Sequence, residues 1–263
     1  MTLLDGGIPF LVIALGLCVG SFLNVCIHRM PKEESIVSPG SHCPACGKPV
    51  AWYDNVPLVS YLLLRGKCRQ CGAKISPRYF VVELVTALLW FLLWLRFGAG
   101  ASFAAGAVLV SVLLAVTMTD LETGLIPDKM TYPGMAVGLL LSAAFPALQH
   151  EGLWWAGLVR SLLGLAAGGG ILLAVGFAGN LIFRKETMGG GDVKLLALIG
   201  AFVGWSEAIF VFLFAPIFAI PFALHAKFAR KQETIPFGPY LALAGILFYF
   251  FGEKIMAYFF LTN

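Results

Sequence analysis

The sequence predicts an all-α polytopic membrane protein of about eight transmembrane helices, with a cytoplasmic zinc-binding loop between the first two. Three observations carry this. The chain is 59% hydrophobic and only 12% charged, with 22 Phe among 263 residues, a composition foreign to soluble domains. Apolar stretches of about 20 residues, the length a bilayer core requires, recur along it between short turns. Lys and Arg, finally, gather in alternate connections, which fixes an orientation. The net charge of +4 is too small to point to nucleic acid.

The first span is expected over 8–27. Asp5 is the only charge before Arg29 and no small-residue cleavage site follows, so the segment reads as a retained anchor rather than a signal peptide. Asn24 is a polar amide inside this apolar helix, suited to an interhelical hydrogen bond. Residues 28–78 form the one sizeable polar segment. It holds Cys43-Pro44-Ala45-Cys46 and Cys68-Arg69-Gln70-Cys71, with 21 residues between the pairs. Two such pairs at this separation read as a four-thiolate zinc site. Two disulfides are the competing reading and would require an oxidising compartment. The charge argues against them: eight Lys and Arg (Arg29, Lys32, Lys48, Arg65, Lys67, Arg69, Lys74, Arg78) face Glu33, Glu34 and Asp54, and basic loops stay in the cytoplasm. Four thiolates close the coordination sphere, so the zinc would be structural. No His-Glu-x-x-His pattern suggests a zinc protease.

The second span, 79–97, carries Glu83 one turn inside, where it either snorkels to the cytoplasmic interface or pairs with a base of the basic loop, or else is functional. Gly98-Ala99-Gly100 turns the chain into the third span, 101–119. Asp120 follows at a helix C-terminus, where the dipole disfavours a carboxylate, a poor place for a merely structural one. Pro127 breaks the helix, and Asp128 stands where an N-cap of the fourth span, 131–148, is expected. The fifth span covers 156–183, its Gly168-Gly169-Gly170 read as a helix-packing face because no strand precedes it. Then comes Met188-Gly189-Gly190-Gly191-Asp192-Val193-Lys194, a glycine run ending in a carboxylate at the mouth of an apolar segment. Asp192 either caps the next helix or works as an ionisable group at a membrane edge. Gly189, Gly190 and Gly191 would let another backbone come close to it. From Val193 to His225 two spans are expected, the first short, turning at Gly204-Trp205-Ser206-Glu207. The last covers 238–260.

With both termini outside, 15 Lys or Arg lie inside, counting Lys185, Lys227, Arg230 and Lys231. Only Arg96, Arg160 and Lys254 lie outside. This places Asp120, Asp192 and the cysteine loop at one membrane face, with the two acids 72 residues apart in sequence. The expected organisation is a first transmembrane helix (1–27), a cytoplasmic zinc-binding loop (28–78) and a transmembrane core (79–263).

Several motifs in order make the chain resemble bacterial prepilin peptidases, the membrane aspartic peptidases of type IV pilus and type II secretion systems. They are Gly20-Ser21-Phe22-Leu23-Asn24-Val25 with Arg29 and Pro31, the paired Cys-x-x-Cys, and Trp52-Tyr53-Asp54-Asn55-Val56-Pro57. Ser76-Pro77-Arg78-Tyr79 with Glu83, Asp120 ahead of Pro127-Asp128, Gly189–Leu195 and Pro236-Phe237-Gly238-Pro239 complete the set. Cys26 and Met30 replace commoner aliphatic residues. The resemblance implies an endopeptidase of the bacterial inner membrane that removes a basic leader from prepilins or pseudopilins on the cytoplasmic side, with Asp120 and Asp192 as its catalytic carboxylates. It also implies N-methylation of the new N-terminus with S-adenosylmethionine. No Rossmann fingerprint marks a site for that cofactor, and no residue is assigned to it. Glu122 and Glu186 are candidates to meet the basic leader. Two other classes compete: a transporter, which would hold its acids near the midplane between internal repeats, and a zinc-stabilised assembly scaffold without enzymatic activity.

Overall fold

The computed structural model describes residues 3–184, 188–225 and 236–261, and among these it contains helices and no β-strand. The helices are α1 (Leu3–Arg29), α2 (Val59–Leu63), α3 (Pro77–Phe97), α4 (Ala101–Thr123) and α5 (Asp128–Ala144). They continue with α6 (Trp154–Phe183), α7 (Gly190–Val203), α8 (Trp205–His225) and α9 (Gly238–Leu261). Apart from α2, which lies within the polar loop, one helix stands at each of the eight expected spans. Six of the eight are long and apolar enough to cross a membrane. The exceptions are α5, with 17 residues, and α7, with 14. At 1.5 Å per residue α7 is only about 21 Å long, short of a bilayer core of about 30 Å.

The chain divides into two compact units, Met1–Gly98 and Ala99–Asn263. The first unit takes in α3, which packs closely on α1. Glycines make this packing possible. A Cβ on Gly16 would lie 2.8 Å from the Ala87 Cα, and one on Gly20 would lie 2.7 Å from the Glu83 Cα. Ser76 caps α3 by accepting the Arg78 N–H, and Pro77 occupies the first turn, where its missing N–H costs nothing.

In the second unit α7 is the central helix, packed against α4, α5, α6, α8 and α9. Leu195 to Phe202 are all buried, so the segment is apolar all round rather than striped. Gly164 of α6 and Gly200 of α7 each face the other's backbone carbonyl, and Gly168 faces the Leu196 carbonyl. The close packing face expected at Gly168–Gly170 therefore exists, but it extends through Gly164, while Gly170 meets nothing within 4 Å. The C-terminal carbonyls of α7 are satisfied from the side. Gln149 Nε2 donates to Ala201 O at 3.3 Å and to Phe202 O at 3.1 Å, and Ser161 Oγ donates to Ala201 O at 2.6 Å. Gly204, at φ +93°, makes the expected turn into α8. Tyr249 of α9 ties to α4 by donating to Ser102 O at 2.6 Å.

Candidate functional site: an acid pair in one unit, a thiolate cluster and a chamber in the other

The carboxylate centre lies wholly in the second unit. α4 runs one turn further than expected, to Thr123, so Asp120 sits inside its last turn rather than beyond it. Gly124, in the left-handed conformation at φ +66°, ends the helix by donating its N–H to Asp120 O. Asp120 is only 6% exposed. Its Oδ2 accepts the N–H of Gly238, 118 residues away in sequence, at 3.0 Å. A Cβ on Gly238 would lie 2.6 Å from that oxygen and 3.2 Å from Ile126 Cδ1, so glycine is what lets the start of α9 reach the acid.

Asp192 is half-buried in the first turn of α7, where the N-terminal dipole favours a carboxylate, and it lies within electrostatic reach of Asp120. It is not the N-cap; Gly189 is, and no side chain caps the helix. The three glycines divide in role. Gly189 comes near the Asp192 carboxylate, Gly190 meets nothing within 4 Å, and Gly191 packs on Ile126, where a Cβ would be 2.9 Å from Ile126 Cβ. Asp128, expected as the N-cap of α5, does not cap it either. Pro127 holds that position, and Asp128 accepts Lys194 Nζ at 2.6 Å, joining the starts of α5 and α7 just beyond Asp192. Glu122 is exposed on the last turn of α4. Glu186, Lys185, Lys227, Arg230 and Lys231 lie outside the described residues.

The thiolate cluster lies in the first unit. Each Cys-x-x-Cys forms a tight knuckle: Gly47 N–H donates to Cys43 O and Gly72 N–H to Cys68 O, with both glycines at positive φ (+69° and +71°). The Sγ atoms of Cys43, Cys46, Cys68 and Cys71 all lie within 4.8 Å of one another, and Cys43 and Cys71 are 3.8 Å apart as free thiols. Four sulfurs at about 2.3 Å from a tetrahedral zinc would be about 3.8 Å apart, so the cluster has the size of such a site. The Cys46 and Ala45 N–H groups hold the Cys43 thiol down to about 6. Cys71 receives the Ala73 N–H, which favours its thiolate. Desolvation and hydrogen bonding to the other three sulfurs outweigh this and push it up to about 11. Arg69, inside the second knuckle, grips Asp54 through both carboxylate oxygens at 2.6–3.0 Å, pinning the loop.

Between this loop and the helices α1 and α3 lies a chamber of about 820 Å³, walled by Cys43 and Cys68 as well as Asn24, Tyr61, Tyr79 and Glu83. Glu83 is 7% exposed, accepts the Leu58 N–H at 2.8 Å, and is hydrogen-bonded by Ser21. Leu58 holds that N–H in place from φ 58°, ψ −49°, a conformation foreign to a branched residue. Asn24 donates to Tyr79 O at 3.0 Å and to Gly20 O at 3.3 Å, while its Oδ1, buried on this wall, has no partner. The polar residues at Asn24 and Glu83 were visible in the sequence; that they border one chamber was not, because the loop reaches them from afar, Leu58 lying 25 positions from the Glu83 it bonds.

Several helices long and apolar enough to cross a membrane, with an acid pair in one unit and a four-cysteine cluster beside a polar chamber in the other, define a polytopic membrane protein. The chain belongs to the type IV leader peptidase family: that family's profile matches residues 107–224, and the profile of the bacterial peptidase A24 N-terminal domain matches residues 14–97. It is similar to proteins named prepilin leader peptidase/N-methyltransferase. The one from Aeromonas salmonicida is 34% identical over 97% of this chain and 96% of its own length, and the one from Pseudomonas aeruginosa is 37% identical over 92% and 90%. The Myxococcus xanthus protein of that name is 44% identical over 76% of this chain, a match spanning 58% of its own length. No solved structure matches the chain.

Proposed function

We propose that this chain is a membrane aspartic endopeptidase that removes the leader peptide of type IV prepilins or pseudopilins at the cytoplasmic face of the bacterial inner membrane, and that it N-methylates the N-terminus so exposed. The observation that carries the hydrolytic half is the electrostatic coupling of Asp120 and Asp192, carried on two helices that the sequence separates widely. Two carboxylates a few Å apart cannot both ionise cheaply, so they share a proton. The ionised member takes a proton from water as it attacks the scissile carbonyl, and the protonated member supplies one toward the leaving amine. The Gly238 N–H orients Asp120, and the open backbone at Gly189 and Gly190 gives an extended substrate room beside Asp192. The basic first loop argues for the cytoplasmic side. A transporter is not favoured, since the acids stand at helix ends.

The four thiolates are proposed to hold Zn²⁺, closing its coordination sphere and supporting the loop. The methyl donor implied by the relatives is S-adenosylmethionine, which supplies a methyl group on a sulfonium. The chamber fits a ligand of this class. Its volume lies within the usual range of about 300–1,000 Å³ for such sites, and the unpartnered Asn24 Oδ1 calls for a donor. Mass spectrometry of a co-expressed prepilin reads both halves of the proposal. Loss of the leader together with a gain of one methyl is expected, and a full-length, unmethylated product would overturn it.

A further inference from the structure

The relatives' name implies methyl transfer to an amine, but nothing assigns that chemistry a place. We infer that the chamber of the first unit is a site for a primary α-ammonium group, held between the Glu83 carboxylate and Asn24 Oδ1. This rests on the methyltransferase reading above and gives it a location.

The wall offers acceptors where a cation with three N–H bonds would need them. Asn24 Oδ1 is buried and unpartnered, while the same residue's amide is fully engaged, donating to Tyr79 O and Gly20 O. Those two bonds fix which way the amide faces, so its bare oxygen is held in position. Leaving a buried acceptor unmet is costly, a cost a ligand would relieve. Glu83 lines the same chamber: the Cβ that Gly20 lacks would touch the Glu83 backbone, and Ser21 bonds the Glu83 carboxylate. Leu58, in its disfavoured backbone conformation, directs an N–H at that carboxylate. A chamber whose lining holds a buried acid oriented at the cost of strain, and an oriented, unused oxygen, is suited to something positively charged. Two cations of the loop are engaged elsewhere: Arg69 is taken by Asp54, and Arg29 donates to Ser35 O and Gly40 O.

Two ligands of the reaction carry a primary α-ammonium: the amino-acid end of the sulfonium donor, and the freed N-terminus that accepts the methyl group. If the acceptor is held here, the carboxylate also has a chemical task. The ammonium must lose a proton before its lone pair can form the new N–C bond, as the methyl S–C bond breaks and its electron pair returns to sulfur. Glu83 would take that proton.

The test uses the full-length, zinc-loaded protein and Glu83→Gln, which keeps an oxygen for the Leu58 N–H. Three probes are titrated into each: S-adenosylhomocysteine, methylthioadenosine (the same nucleoside without the amino acid), and a short peptide with a free or an acetylated N-terminus. Zinc content and leader cleavage in the second unit report that the variant is folded. An ammonium held at Glu83 predicts a loss of about tenfold or more for one ammonium-bearing probe, with methylthioadenosine binding unchanged. A selective loss for S-adenosylhomocysteine assigns the pocket to the donor. A loss for the free peptide, with the acetylated peptide weak in both proteins, assigns it to the acceptor. Equal affinities of variant and wild type for every probe would overturn the inference while leaving the methyltransferase reading intact. A parallel loss for methylthioadenosine would also overturn it, showing that Glu83 only shapes the chamber. Failure of that reading looks different: a wild-type protein that cleaves leaders, binds none of the probes and leaves its product unmethylated.

Discussion

Asp120 occupies the last turn of α4, where the dipole opposes a negative charge, yet it is 6% exposed and receives the Gly238 N–H. That misplacement was legible in the sequence and singled Asp120 out. Its partner on α9 was not legible, because Pro236-Phe237-Gly238-Pro239 reads as a helix start and nothing local says what the glycine faces. Asp120→Asn and Asp192→Asn are each expected to abolish leader cleavage, with the double variant no worse than either single one, as for groups that act as a unit. Product mass checks this, and a folded Asp120→Asn enzyme that still cuts would sink the assignment. Gly238→Ala should lower cleavage about tenfold or more with little loss of protein, since its methyl would press on Asp120 Oδ2. Asp128 corrects a sequence expectation at this scale. A carboxylate before a helix reads as a cap, but Pro127 takes the cap position, leaving Asp128 to pair with Lys194. Both side chains are substantially exposed, so Asp128→Asn should cost less than about 1 kcal/mol and retain most of the activity.

Among the helices, α7 shows what hydrophobicity can and cannot say. Its shortness followed from the 33 residues available between Val193 and His225, and its turn from Gly204. Its burial among five neighbours did not, since an apolar run reads alike whether lipid or protein surrounds it. The anchors at its far end were hidden for another reason: Gln149 and Ser161 are ordinary polar residues of a turn and a helix, 53 and 40 positions from the carbonyls they satisfy. Gln149→Leu should leave the Phe202 carbonyl without its side-chain donor and lower stability by about 1–3 kcal/mol, read as a lower unfolding midpoint in detergent. At the near end, Gly191→Val should block cleavage because the new side chain would collide with Ile126. Pairing it with Ile126→Ala separates packing from access. Restored cleavage in the double variant would mean that the glycine serves only the contact with Ile126; a variant still folded and still inactive would mean that the substrate backbone needs the space.

Across the whole molecule, the two chemical centres fall in two separate compact units, and the four cysteines belong to the unit without the acid pair. Their spacing made the cluster the most readable feature of the sequence, because a tetrathiolate site is built from local turns. The chamber beside it depends on how a loop of some 50 residues folds onto two helices, and spacing carries no trace of that. Structural zinc stabilises small domains by on the order of 10 kcal/mol, so if the four cysteines hold zinc, its loss should collapse the loop and the chamber wall formed by Cys43 and Cys68. Cys46→Ser is therefore expected to lower metal content and methylation far more than leader cleavage. The metal should also respond to pH with a definite sign. It needs four thiolates, and Cys71, pushed up to about 11, still carries its proton at neutral pH, so binding must expel it. Cys43, held down to about 6, is already ionised there and adds a further proton to displace only in more acidic solution. Apparent zinc affinity should fall as pH falls and fall more steeply below about pH 6. Competition with a chelating dye from about pH 8 down to about pH 5 would show this as a steepening slope. A pH-independent affinity would mean that thiolates do not hold the metal.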